Sequence, residues 1–131
     1  MAQLETFNGP IIRQGQAYSD VLDLGNFVVV GLATPPQWTP GVVSITISPD
    51  GDNFYDVFDY NGSELLFNIV PETMIAVAPD LLLCARYLRL RSGTRERPVE
   101  QEAQRLFHTI GSASVYMQSP IQQSKREDQP C

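Results

Sequence analysis

The chain has 131 residues and a net charge of −6, from 15 acidic and nine basic residues. This length fits one domain that can bury a core without disulfides or metal ions. The acidic surface should repel phosphate backbones and anionic lipid headgroups, so we expect neither a nucleic-acid nor a membrane partner. Ten prolines and nine glycines, spread along a chain without long helical periodicity, favour short strands and turns. The expected fold class is therefore all-β.

Residues 1–16 are predicted to form an extended N-terminal arm. Gly9-Pro10 and Gly15 surround Ile11 and Ile12, which suits at most one short strand. We expect the order of this arm to depend on a partner or on the edge of the domain. The arm lacks a basic stretch followed by an apolar run, and the chain has no run of about 18 apolar residues. We therefore expect a soluble protein that is made in the cytosol and that can assemble into something larger.

Strand patterns begin near Tyr18, where the predicted domain of residues 17–118 starts. Residues 27–33 are a continuous apolar run rich in β-branched side chains, which predicts a central strand covered on both faces. Residues 34–41 contain three prolines and must form a loop. Trp38 in this loop either contacts a sugar or a protein or caps one end of the core. We expect the cap, because large aromatic side chains are mostly buried.

The most regular stretch is residues 42–60, which predict a hairpin. Val43, Ile45 and Ile47 alternate with serine and threonine, so this strand should be half-buried with a hydroxylated outer face. Proline, glycine and acidic residues at 49–53 reverse the chain, and an aromatic strand follows. Turn-forming residues explain the tip of the hairpin, but four oxygen donors there could also hold calcium. These candidate ligands are Asp50, Asp52, Asn53 and Asp56.

Strands are also predicted within residues 64–70, 74–78 and 85–91. In the last of these, Leu88 and Leu90 face one way, whereas the other face carries tyrosine and arginine. We expect the arginines to lie on a solvated outer face, paired with the many carboxylates of the chain. The alternative is that these arginines bind an anion.

The last part of the chain is predicted to close the sandwich and then to lose order. Residues 95–104 are strongly polar and predict an exposed loop, residues 105–110 a closing strand, and residues 113–117 a short one. Residues 119–131 are polar, charged and bounded by prolines, which is typical of a flexible tail. The total of about eight antiparallel strands is enough for two stacked sheets.

The chain has few residues of the types that most often act in catalysis or bind metal ions, such as histidine and cysteine. His108 shares a strand face with Leu106 and Ile110, which favours a packed core or edge residue over a catalytic base. Cys84 lies in an apolar setting and should behave as a small buried hydrophobe. Cys131 should be exposed and could form an intermolecular disulfide, but we expect an accidental terminal thiol, because cytosolic disulfides are rare. We therefore expect no enzyme, no catalytic residue, no cofactor and no zinc site.

Two segments resemble the discoidin-like, or galactose-binding-like, jelly rolls. Ser48, Asp50, Gly51 and Phe54 stand at the matching positions of an "S-x-DG-x-x-[FW]" hairpin, and residues 85–90 match a late "ARY-[IVL]-R-[IVL]" strand. The resemblance covers about residues 17–111 and implies a jelly-roll β-sandwich. It also implies that ligands bind on loops at one end of the sandwich.

A second resemblance concerns the role. The sequence pattern resembles that of small virion proteins encoded beside the capsid genes of tailed bacteriophages. The residues that carry this resemblance are 48–59 and 86–94, together with Pro98-Val99, Gln101 and Arg105. That resemblance implies a capsid decoration or cement protein in the virion, present in several copies or as a homo-oligomer. Its partners would be the major capsid protein or other virion subunits.

The alternative function is a carbohydrate-binding module of a phage tail or fibre protein. In that case aromatic side chains would stack against sugar rings. The candidate residues are Trp38, Tyr55 and Tyr60.

Overall fold

The structure is a computed structural model and describes residues 3–113, which form two antiparallel β-sheets. The strands, in chain order, are β1 (Leu4–Ile12), β2 (Leu22–Asp23), β3 (Val28–Ala33), β4 (Val42–Ser48), β5 (Tyr55–Asp56), β6 (Leu66–Asn68), β7 (Met74–Ala76), β8 (Tyr87–Ser92) and β9 (Arg105–Ser112). One sheet has the order β1-β9-β3-β7, and the other has the order β2-β8-β4-β5, with β6 pairing with β4 beside β5. A 3-10 turn, Pro79–Leu81, links the sheets after β7. The expected all-β sandwich is confirmed.

The core lies between the sheets and follows the strand alternation. Leu88 and Leu90 of β8 are buried, as predicted, and Phe107 of β9 packs among the same buried residues. Val43, Ile45 and Ile47 supply the core face of β4. Because side chains on alternate residues of a strand share a face, these positions could be assigned from the sequence. The prediction that residues 27–33 form an interior strand is also confirmed, since β3 lies between β9 and β7.

The N-terminal segment is an edge strand of the sandwich and not a free arm. β1 pairs antiparallel with β9 from Leu4 to Ile12, and its register shifts at Asn8/Gly9, where both residues lie opposite His108. Pro10 has no amide hydrogen and is tolerated because this strand lies at the sheet edge. The predicted boundary at residue 16 is therefore wrong, and the sandwich begins at β1.

Three expectations about exposure are wrong. The hydroxylated face of β4 is buried and not solvated, since Ser44, Thr46 and Ser48 are at most 3% exposed. Gln101, in the predicted exposed loop, is fully buried, and Cys84 is exposed after the 3-10 turn. In each case long-range packing decides the exposure. The predicted strand at 113–117, the predicted tail at 119–131 and Cys131 lie outside the described residues, except for residue 113.

Candidate functional site

The outer face of the β8-β4 pair is covered by the chain that follows the hairpin tip. Arg91 of β8 crosses the face and is only 3% exposed. Its Nη1 donates to Asp56 Oδ1 at 2.7 Å, and its Nη2 donates to Glu64 Oε2 at 2.8 Å. Its Nε donates to the Ser44 hydroxyl at 2.8 Å. Each guanidinium nitrogen thus has an acceptor, and two carboxylates balance the charge.

Arg91 is held in its charged form by these partners. Burial acts to lower the pKa of the guanidinium, but the hydrogen bond to Asp56 and the attraction of its negative charge oppose burial, and the pKa is raised. The predicted pairing with carboxylates is therefore correct for Arg86 and Arg91, whereas the predicted solvated face is wrong for Arg91. With two carboxylates already in place, Arg91 does not offer an anion site.

The neighbouring arginines extend this network along the sheet. The Arg89 guanidinium lies 4.8 Å from the Tyr18 ring centroid and 4.6 Å from that of Phe54, so two aromatic faces enclose it. Its Nε also donates to Thr46 Oγ1 at 3.1 Å. Arg95 pairs with the second oxygen of Asp56 at 3.3 Å. Together these contacts attach the segment that contains Phe54, Asp56 and Glu64 to β4 and β8.

This attached segment presents large apolar side chains to solvent. We call this set the aromatic edge, and its members are Tyr55, Phe58, Tyr60 and Leu66. Tyr55 is 60% exposed and Tyr60 is 95% exposed. Tyr55 pairs with Ile47 in the ladder between β4 and β5, and Leu66 pairs with Ser44 in the ladder between β4 and β6. Exposed apolar residues on an ordered sheet edge are typical of protein interfaces.

A groove of about 380 Å³ lies beside Tyr55 and Phe58. Its walls come from β4, from the segment around β5 and from the loop that follows the 3-10 turn. The lining residues are Ile47, Pro49, Tyr55, Asp56, Val57, Phe58, Leu81 and Cys84. Most of these side chains are apolar, so the groove can take an apolar side chain of a partner.

The three candidate sugar-binding residues do not come together. Trp38 packs edge-on against Phe107, with the ring centroids 5.5 Å apart, and its indole donates to the Gly41 carbonyl at 3.1 Å. It caps the core, as expected. Tyr55 lies near the other end of β4, opposite Ile47. Only Tyr55 and Tyr60 of the three are available for stacking.

The candidate calcium ligands serve the hairpin and the ion network instead. Asp50 Oδ1 accepts from the backbone amides of Asp52 and Asn53 at 2.9 and 3.0 Å, and from the Ser48 hydroxyl at 2.9 Å. These donors, with the Asn53 amide first, hold the pKa of Asp50 well below its ordinary value. Asp56 is engaged by Arg91. Within residues 3–113 no group of three or more acidic, histidine or cysteine side chains is placed to bind a metal ion.

His108 lies half-buried on the outer face of β9, opposite the β1 bulge. It shares that face with Leu106 and Ile110, as predicted, whereas Phe107 and Thr109 face the core. The strand itself is central and not at an edge. His108 therefore belongs neither to the core nor to the network around Arg91.

A second buried polar cluster, not predicted from the sequence, lies near the start of β4, where Ser92 pairs with Val43. Gln101 Oε1 accepts from Arg105 Nε at 2.9 Å and from the Thr39 amide at 3.1 Å, and Gln101 Nε2 donates to Ser92 Oγ at 2.7 Å. One signal was present in the sequence, because the alternation of β9 places Arg105 on the same face as Phe107. Nothing in the local pattern indicated that Gln101 would be buried.

The comparisons with known proteins assign no family. No family model and no curated protein matches the chain. In the described part of the chain, no helix has the length and apolar character needed to cross a membrane.

Proposed function

We propose that this chain is a structural virion protein of a tailed bacteriophage, a capsid decoration protein that stabilises the head by bridging shell subunits. The observation that carries the proposal is the aromatic edge, where Tyr55 and Tyr60 are exposed on a segment held by buried ion pairs. Protein interfaces are enriched in such side chains. The resemblance to small virion proteins supplies the class of partner, the major capsid protein.

The rigidity of the edge supports this role. Asp56 and Glu64 lie on the two sides of the turn that carries Tyr60, and both bind Arg91. A surface that is ordered before docking loses less conformational freedom on binding, so more of the contact energy remains for affinity. Bridging needs no reaction, only stiffness and complementary surfaces. We also propose that the sheets are connected as a jelly roll, as the discoidin resemblance implies.

Co-sedimentation with empty phage heads tests the proposal. The wild-type chain should bind heads in a saturable way, and the double variant Tyr55→Ala/Tyr60→Ala should bind about tenfold more weakly. Met74→Ala is the matched control, because Met74 is an exposed apolar residue on β7 of the other sheet. Unfolding curves should show that both variants remain folded. A wild-type chain that does not bind heads would refute the decoration role, and equal binding by the double variant would refute the aromatic edge as its docking surface.

Carbohydrate binding is the second candidate, and the exposure of Tyr55 and Tyr60 favours it. Exposed aromatic rings can stack on sugar rings. A glycan array would show binding that disappears in Tyr55→Ala. Trp38→Ala should instead destabilise the domain, because Trp38 packs on Phe107. An array without any signal would remove this candidate.

A further inference from the structure

Arg105 is a buried cation without a carboxylate partner. The residue is 7% exposed, and in residues 3–113 no carboxylate oxygen lies within 4.0 Å of its guanidinium. Its Nε donates to Gln101 Oε1 at 2.9 Å, and its Nη2 donates to Thr39 Oγ1 at 3.1 Å. Both acceptors are neutral. Nη1 has no hydrogen-bond partner among the same residues.

Among residues 3–113, this arrangement leaves a buried positive charge without a carboxylate partner. Buried charges in proteins are normally paired, because removing them from water is costly. Arg91 shows the usual solution within the same sandwich, with two carboxylates on one guanidinium. The neutral partners of Arg105 fix its orientation but do not balance its charge. A guanidinium that is oriented, desolvated and still has free donors is prepared to bind an anion.

The space for that anion lies beside Arg105. A pocket of about 310 Å³ is lined by residues of the proline-rich loop before β4 and by residues at the start of β9. Gln37 and Gln104 are both exposed and line this pocket. The complete lining is Pro35, Pro36, Gln37, Ala103, Gln104, Arg105 and Leu106. This volume suits a small polar group on a short stem.

We propose that Arg105 and this pocket form a binding site for a carboxylate group. A planar guanidinium matches the two oxygens of a carboxylate, and the amides of Gln37 and Gln104 can add hydrogen bonds. One cation with apolar walls fits a monoanion better than a doubly charged phosphate, and the net charge of −6 repels dianions further. The site does not depend on the proposed decoration role.

Arginine side-chain NMR of the full chain, in chloride-free buffer, tests the proposal with two probes. Sodium acetate represents a free small carboxylate, and acetyl-Ala-Glu-Ala-amide represents the side chain of a partner protein. Each probe is titrated into the protein, and saturable shifts of the Nε resonance of Arg105 are measured. We expect at least one to shift that resonance while the resonances of Arg86 and Arg91 stay in place, because both of these pair with carboxylates. The probe that binds more tightly identifies the source of the carboxylate.

Variants separate this site from general surface effects. Arg105→Gln should weaken probe binding about tenfold or more, because the charged fork is lost. Arg86→Gln is the matched control and should leave binding unchanged. If neither probe shifts the Arg105 resonance saturably, or if Arg105→Gln binds as well as the wild type, the proposal is wrong. The wild-type titration decides the question by itself should Arg105→Gln fail to fold.

Discussion

The two buried arginines of this sandwich differ in the partners of their positive charges. Arg91 lies on the outer face of one sheet, where Asp56 and Glu64 neutralise it. Arg105 lies on the core-facing side of a strand in the other sheet, where its partners among the described residues are the neutral Gln101 and Thr39. The first arrangement is complete within the chain and stabilises a structure. The second is incomplete, and for that reason it is the one suited to bind a ligand.

The largest change in the free energy of unfolding should appear when Arg91 is replaced by an uncharged residue. Arg91→Met should lower the free energy of unfolding by about 3 to 5 kcal/mol, because one member of a buried ion network is removed. Asp56 and Glu64 would remain, with side chains only 24% and 14% exposed and without their main counter-charge. Urea unfolding at neutral pH measures the change.

A matched control separates burial from pairing. Arg86 also pairs with a carboxylate, Asp23, but both side chains are about half exposed. Because surface ion pairs contribute little, Arg86→Met should change stability far less than Arg91→Met. Equal losses in the two variants would mean that burial of the Arg91 network does not matter.

Neutralising Arg105 should have a much smaller effect. Arg105→Met should change the free energy of unfolding by less than about 1 kcal/mol, because the loss of two hydrogen bonds is offset by the loss of an unpaired buried charge. Gln101 keeps a donor in the Thr39 amide. The same urea experiment applies. If Arg105→Met proved as unstable as Arg91→Met, the charge of Arg105 would be compensated within the fold, and the carboxylate site would lose its basis.

The smallest effect should come from Asp50, a charge that is also held by neutral donors but at the surface. Its folded pKa is depressed below the ordinary 3.8 by amide and hydroxyl donors, so its stabilising effect is present above that pH and is lost as the pH falls toward the folded pKa. Asp50→Asn should therefore be less stable than the wild type at pH 7, and the difference should shrink in acid. Urea unfolding of both proteins at pH 7 and in acid checks the sign of this change in stability. A difference independent of pH would show that the charge of Asp50 is irrelevant.

Local patterns predicted the strands that build the core. Leu88 and Leu90, and likewise Val43 and Ile45, alternate with polar residues, and this alternation identified the inward faces of β8 and β4. The turn chemistry at Asp50 predicted the reversal after β4, and its hydrogen bonds agree. The cap formed by Trp38 followed from the size of its side chain. The strand faces and the turn depend on residues that are near neighbours in sequence.

The candidate sites were only partly predictable. Tyr55 and Tyr60 were candidate contacts, and both are exposed. Pairing of the arginines with carboxylates was also expected, but neither the burial of Arg91 nor its partners Asp56 and Glu64 were predicted. The burial of Gln101 was hidden in a polar stretch, because its partners Thr39 and Ser92 come from distant parts of the chain. The N-terminal segment was predicted as an arm because β1 gains its hydrogen bonds from β9, about a hundred residues later.

By itself the sequence determined the class of fold and the inward faces of β4 and β8, because side-chain alternation is a property of the extended backbone. Only the tertiary structure decided which outward faces are covered and which charges are balanced. Arg91 and Glu64 are separated by 27 residues, and Arg105 and Thr39 by 66. A buried polar group is stable only where its partners converge, and packing of the two sheets brings them together.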